Sequence, residues 1–336
     1  MNKFFLATAF ILLGISCNEP NKIDIQEPDN EPDEVIGTGF QVLDLLYEIS
    51  GENILAGQHN REPNADPDRW TEFIKETTGK YPALWSGDFL YQQNNIDNRW
   101  TMIEEAKEQW NNGAVINLML HVCPPDLGEP CGWNPGMLNE QLDDEQWEEI
   151  LTDGTPLNEV WKTRLDDIAV YLQDLEDNGV EVLFRPFHEM NQELFWWGGR
   201  PGPNGTAALY RLTHDYMTKE KGLSNLIWVW NMQDLSRDFE EYNPGEEYWD
   251  VFTFDIWGNG YNKSWYDYIL PIVGDKPMAI GECGNLPSST VLTEQRRWTF
   301  FMPWAEWVTE KNSDTTIKNT YDFSTILTLD EMPGWE

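Results

Sequence analysis

Two glutamates that stand where apolar runs end are the residues best placed for chemistry. The stretch Glu181–Trp197, EVLFRPFHEMNQELFWW, begins as a β-branched and aromatic run. With no turn signal it then offers His188, Glu189 and Asn191, followed by Phe195, Trp196 and Trp197. An unpaired carboxylate is costly to bury. At the carboxyl end of a parallel barrel strand, however, it faces the mouth where active sites are built. Strand alternation puts Arg185, Phe187 and Glu189 on one face, with the cation two steps behind the acid. A second run, Pro277–Gly284 (PMAIGECG), is broken by Glu282, which parity places with Met278 and Ile280. Gly281 and Gly284 leave room there for a close approach. Two carboxylates facing each other across one mouth suit glycosidic cleavage, one held protonated as Glu189 would be, one ionised as Glu282 would be beside Arg185. A gap of ~5–5.5 Å gives retention and ~6.5–9.5 Å inversion, and sequence separation leaves that choice open. The competing reading of the first stretch is a capped strand end followed by a core tryptophan cluster.

These residues need a frame to bring them together. A short helix is expected over Gln41–Glu48, and strands then alternate with helical stretches. The strands are expected over Asn53–Gln58, ending at His59, then Pro82–Leu90, Ala114–Leu120, ending at His121, and the stretch containing Glu189. Leu226–Asn231, Tyr248–Trp257, Pro277–Cys283 and a region near Phe300–Trp304 follow. Helices over Pro67–Thr78, Asn98–Asn112 and Ala207–Lys221 lie between them, and the tail to Glu336 reads as a final helix and a cap. Eight near-continuous apolar strands with helices between argue for a closed α/β barrel, the (β/α)8 or TIM barrel. A doubly wound open sheet is second, for want of a glycine-rich phosphate loop after the first strand.

Composition narrows the ligand. The chain has 336 residues and a formal net charge of −37, from 59 acidic against 22 basic residues. That balance disfavours nucleic acid, anionic membrane surfaces and polyanionic glycans alike. The 18 tryptophans, 12 tyrosines and 15 phenylalanines offer flat apolar faces. Trp133, Trp196 and Trp304 are candidate stacking surfaces for a neutral sugar, with core packing as their other use. Asp255 and Trp257, which end strand six, are candidates for hydroxyls and a sugar face. Only four histidines are present, with no H-x-H and no H-E-x-x-H, so no metal site is expected. No cofactor fingerprint and no G-x-S-x-G elbow occurs.

Residues 1–16 read as an export signal: one lysine, an apolar run too short to span, then small residues. Cys17, after Gly14-Ile15-Ser16, reads as a lipid-attachment cysteine. Residues 17–38, rich in Asp, Glu, Pro and Asn, read as a flexible acidic tether, and 39–336 as one catalytic domain. The expected location is that of an exported bacterial lipoprotein, at the outer membrane, cell surface or periplasm. Membrane contact would come only through the anchor, and the protein is expected to be a monomer. Cys123 and Cys131 flank a seven-residue loop that a disulfide could close, and Cys283 reads as a small buried apolar residue.

Arg185-Pro186-Phe187-His188-Glu189-Met190-Asn191, with Phe195-Trp196-Trp197-Gly198, resembles the acid/base signature of glycoside hydrolase family 26, mostly retaining endo-β-1,4-mannanases on a clan A barrel. Trp230-Asn231, Phe254-Asp255, Lys276-Pro277 through Gly281-Glu282, and Leu327-Thr328-Leu329-Asp330 extend the similarity over Ile54–Glu331. The resemblance implies Glu189 as general acid/base, Glu282 as nucleophile, His121 as a sugar contact and His188 as the histidine preceding the acid. It implies a mannan, glucomannan or galactomannan as substrate, with endo action ahead of exo. Three positions depart from the pattern: Leu194 stands where a tryptophan is usual, Trp257 where a tyrosine commonly supports the nucleophile, and Cys123-Pro124-Pro125 where an Asn-Pro pair is usual. A β-glucanase or β-xylanase on the same scaffold is therefore the alternative within enzymes, and a non-catalytic glycan-binding lipoprotein the alternative outside them.

Overall fold

Strands whose two faces are both apolar must be covered on both, and this chain covers them by closing a ring inside a layer of helices. The computed structural model describes Met1 and residues 37–335, apart from 62, 139–140 and 258–259. The export signal, Cys17 and nearly all of the tether thus lie outside the described residues. Residues from Gly37 onward form one compact unit. Among the described residues no helix is long and apolar enough to cross a membrane.

The strands are β1 (Ile54–His59), β2 (Leu84–Asp88), β3 (Val115–Leu120), β4 (Val182–Pro186), β5 (Leu226–Gln233), β6 (Val251–Ile256), β7 (Met278–Cys283) and β8 (Trp298–Pro303). Each pairs in parallel with the next, and β1 pairs with both β2 and β8, so the barrel closes. The eight-stranded TIM barrel expected from the alternation is therefore the observed fold. The eighth strand begins earlier than expected. The tail holds a helix, Asp314–Tyr321, and an additional short strand, β9 (Ile326–Leu327), that lies parallel to β1.

Side-chain parity sorts the strands into two layers. Phe184 packs on Trp228, and Trp228 on Tyr210 and His214 of the helix Thr206–Asp215, so these face the helical layer. The opposite parity points polar groups into the barrel. Asn117 Nδ2 donates to Ser86 Oγ at 2.8 Å, and the His59 ring bonds the same hydroxyl. Asn231 Nδ2 donates to Thr253 Oγ1 at 2.9 Å and to Asp255 Oδ1 at 2.8 Å. Buried polar groups stay satisfied only by such pairing, so the interior orients the side chains above it. Cys123 and Cys131 are joined by a disulfide, and Cys283 is a buried free thiol.

Candidate active site

Arg185, 1% exposed, is the hub. From β4 it crosses the barrel to β6 and β7, where Nη1 donates to Glu282 Oε1 at 2.7 Å and Nη2 to Asp255 Oδ2. Nη1 also meets Met119 Sδ on the neighbouring β3. One planar guanidinium thus orients two carboxylates on adjacent strands.

Glu189 reaches the same space by a different route from simple alternation. β4 ends at Pro186, which has no N–H to give the ladder. Phe187 and Glu189 then take φ of +52° and +53°, a left-handed backbone unusual for non-glycine residues and common where a site imposes strain. The expectation that Phe187 shares a face with Arg185 and Glu189 is corrected. Phe187 turns outward onto Trp161, Trp197 and Tyr210, while Glu189 turns inward. Asn231 fixes that turn by accepting the Glu189 backbone N–H, and the Trp257 indole N–H donates to Glu189 Oε1 at 2.6 Å.

Parity also misplaces the start of β7. Ile280 lies in register with Phe254, which packs on Trp265 and Trp298 toward the helices, so Ile280 faces outward. A bulge then shifts the register, and Glu282 pairs with the inward Asp255. Gly281 points inward as well: a Cβ there would lie 2.5 Å from Asp255 Oδ1 and 3.0 Å from Asn231 Nδ2. Only glycine fits, because the two inward neighbours already occupy the space.

Oxygens of Glu189, Asp255 and Glu282 all lie within 4.8 Å of one another, and the three residues are buried. Three carboxyls share one guanidinium, so the cluster retains protons at neutral pH. Burial and then Asp255 push Glu189 up to about 8, with the Trp257 N–H and Arg185 opposing. Burial pushes Asp255 up to about 6 against the pull of Arg185 and Asn231. Burial and Asp255 also push Glu282 up, and Arg185 opposes through a direct bond. Arg185 donates to Glu282 and Asp255 but not to Glu189, whose donor is a neutral indole. The proton therefore belongs on Glu189 and the charge on the other two. The three acids could together hold a cation, but Arg185 already fills that role for two of them.

The raised Glu189 pKa sets a sign for stability. The folded protein keeps a proton that the unfolded chain releases in the ordinary glutamate range, so stability attached to this group falls as pH rises from about 4.5 through about 8. Glu189→Gln carries no such dependence. Its advantage over the parent should grow from pH 5 to pH 8 by roughly 3–4 kcal/mol, several degrees of Tm. Calorimetry at both pH values measures it, and a constant difference contradicts the placement of the proton.

The remaining predicted residues divide. His121 Nδ1 meets Asp88 Oδ2 at 2.6 Å, which fixes the ring. His121 lines a cleft of about 190 Å³ with Arg61, Tyr91, Gln92, Trp133 and Trp304. Trp304 stacks on the buried His59 at 4.3 Å, and Trp133 is 48% exposed. His188 is buried against His121 and Phe195, and burial holds it neutral. Three of the predicted residues turn their polar atoms to protein. Trp196 is wholly buried on Trp161 and Trp197, with its N–H on the Val122 carbonyl. Asn191 spends its amide on Gln233 and Ser236, pinning the loop after β4 to the end of β5. Asp255 is fully buried beneath the glutamates, bonded to Arg185 and Asn231. Trp257 meets Glu189 directly. Residues not singled out beforehand include Asp88, Asn231 and Tyr91; the rule that a polar group ending a barrel strand faces the mouth would have found Asp88 at the end of β2.

The family model for "Glycosyl hydrolase family 26" matches residues 35–331. A protein named mannan endo-1,4-beta-mannosidase from Thermothelomyces thermophilus is 32% identical over 88% of this chain and 61% of its own length. Another of that name from Bacillus subtilis is 31% identical over 67% and 63%. This chain thus spans less than two thirds of the length of either relative. Among solved structures, GH26A from Muricauda sp. MAR_2010_75 aligns with TM-score 0.81 and 34% identity, covering 86% of this chain and 95% of that one. A beta-mannanase from a symbiotic protist of the termite Reticulitermes speratus, complexed with gluco-manno-oligosaccharide, aligns with TM-score 0.76 and 26% identity over 87% and 93%. With the strand-four signature and the paired strand-end glutamates on one barrel, the match places this chain in glycosyl hydrolase family 26.

Proposed function

We propose that this chain is a retaining endo-β-1,4-mannanase acting on mannan, glucomannan or galactomannan. The observation that carries the reading is the pair Glu189 and Glu282, with carboxylate oxygens within 4.8 Å of each other. That spacing favours the ~5–5.5 Å arrangement of retaining enzymes over the ~6.5–9.5 Å of inverting ones. Glu282, charged against Arg185, attacks the anomeric carbon while Glu189 gives its proton to the departing glycosidic oxygen. The bond to the leaving sugar breaks as an ester to Glu282 forms. Glu189, now a carboxylate, takes a proton from water, whose oxygen displaces Glu282 and restores the starting configuration.

The substrate class is supported by the relatives' names and by the gluco-manno-oligosaccharide in the termite-symbiont complex. The strong negative charge of the chain also favours a neutral glycan. The cleft walled by Trp133, Trp304 and His121 would hold flanking sugars, and His121 packs on His188, the residue before Glu189. Export as a lipoprotein through Cys17, with the domain on a tether and acting as a monomer, completes the proposal and rests on the sequence alone.

A reducing-end assay over mannan, glucomannan, xylan and mixed-linkage glucan tests it. Mannan and glucomannan should be cut, and Glu189→Ala should lower kcat about 10²–10⁴-fold. On an aryl β-mannoside whose leaving group needs no proton, azide should restore turnover in that variant and yield a β-mannosyl azide. Preference for xylan or mixed-linkage glucan, binding without product, or undiminished turnover in Glu189→Ala overturns the reading.

A further inference from the structure

Trp257 was expected to present a sugar face, yet its indole nitrogen is committed to protein. Nε1 donates to Glu189 Oε1 at 2.6 Å. An indole N–H donates and never accepts. Oε1 is therefore an acceptor in both protonation states of Glu189, and the acid meets this donor best through its carbonyl oxygen, with the proton on Oε2. The ring is braced where it stands. Trp307 packs edge-on at 4.8 Å, and the Trp257 backbone N–H donates to Asp234 at 3.3 Å. Gly284 leaves that bracing Trp307 its space: a Cβ there would lie 3.1 Å from the Trp307 ring, and in ordinary contact, at 3.7 Å, with the indole. The Glu189 backbone is fixed independently by Asn231. Both ends of the contact are thus held by other elements.

We infer that Trp257 is a positioning residue for Glu189, whose N–H locks Oε1, confines the transferable proton to Oε2, and favours the carboxylate that remains once this proton has passed to the leaving oxygen. The inference rests on Glu189 being the acid/base. A hydrogen bond to a carboxylate is stronger than one to a carboxylic acid. The indole therefore helps Glu189 release its proton in the first step and keeps it as the carboxylate, with Oε2 free to meet water, in the second. Around Glu189, Asp255, Asp234 and Glu282 oppose its ionisation, and Arg185 and the indole favour it. Of the last two, only the indole touches it.

Trp257→Phe keeps an aromatic ring and deletes the donor. Benzothienylalanine at 257, the sulfur isostere of tryptophan, deletes the N–H alone and covers the case in which the Phe variant folds poorly. The Glu189 carboxyl carbon, followed by NMR and assigned by its absence from Glu189→Gln, should titrate about one pH unit higher in either variant. The alkaline limb of kcat/KM on soluble manno-oligosaccharides should rise by the same amount. On an aryl β-mannoside whose leaving group needs no proton, kcat and KM should fall together, about tenfold, because the covalent intermediate accumulates. A titration midpoint within ~0.3 unit of the parent in the benzothienylalanine protein overturns the inference and leaves Trp257 as a wall of the cleft. The NMR readout needs no turnover, so it decides this point even if no β-mannan is cleaved and the proposed function fails.

Discussion

Glu282→Gln is expected to lower kcat on mannan by about 10⁴–10⁶-fold, while oligosaccharide affinity stays within a few-fold of the parent. The reasoning begins with what the amide keeps. Glutamine has nearly the same shape, and its oxygen can still accept from Arg185 Nη1, which lies 2.7 Å from Glu282 Oε1. The site is 3% exposed, so there is little slack for rearrangement and little reason for it. What disappears is the charge that attacks the anomeric carbon, and with it the glycosyl ester. Because binding is spared and the covalent step is lost, the change falls on kcat rather than on KM. A 2-fluoro-mannoside with a good leaving group gives a second readout. The parent should gain one sugar mass on the peptide that holds Glu282, and Glu282→Gln should gain none. An adduct elsewhere, or turnover within tenfold of the parent, contradicts the assignment.

The barrel was legible in the sequence because both-face burial forces near-continuous apolar runs, such as AVINLML, that no loop would carry. The two glutamates were legible for the converse reason, as single charges that end such runs. What could not be read was where local backbone geometry overrides alternation. Two residues with positive φ after Pro186 send Phe187 outward and Glu189 inward. Ile280 faces outward with Phe254, and a bulge around Gly281 still delivers Glu282 to the mouth. Parity thus gave the right direction for both acids through a path the chain does not follow. Hydrogen-bond partnership was equally hidden. Asn191, Asp255 and Trp257 have the chemistry of sugar ligands, yet each spends polar atoms on protein, because three buried carboxyls and a strand end with left-handed backbone need fixing first.

Arg185→Met should produce the largest loss of stability of any single change in the site, about 3–5 kcal/mol at pH 8, because it removes the cation that bonds both Glu282 and Asp255 and leaves two buried carboxylates without an ion-pair partner among the described residues. Methionine fills much of the same volume, so the loss reports charge more than cavity. The pH dependence follows from the sign of the shifts. Without the guanidinium, Glu282 and Asp255 titrate still higher in the folded state than they do now. Protonation relieves them, so the destabilisation should shrink at pH 5 and grow toward pH 8. Activity should fail in the same direction, since a protonated Glu282 is no nucleophile and the acidic limb of kcat/KM moves upward. Arg185→Lys should recover little of either, because one compact ammonium cannot give two carboxylates on adjacent strands the forked geometry of a guanidinium. Chemical denaturation at the two pH values, read beside the pH–rate profile, measures both effects. A loss under ~1 kcal/mol at pH 8 with an unmoved acidic limb would mean that the buried charges are balanced elsewhere.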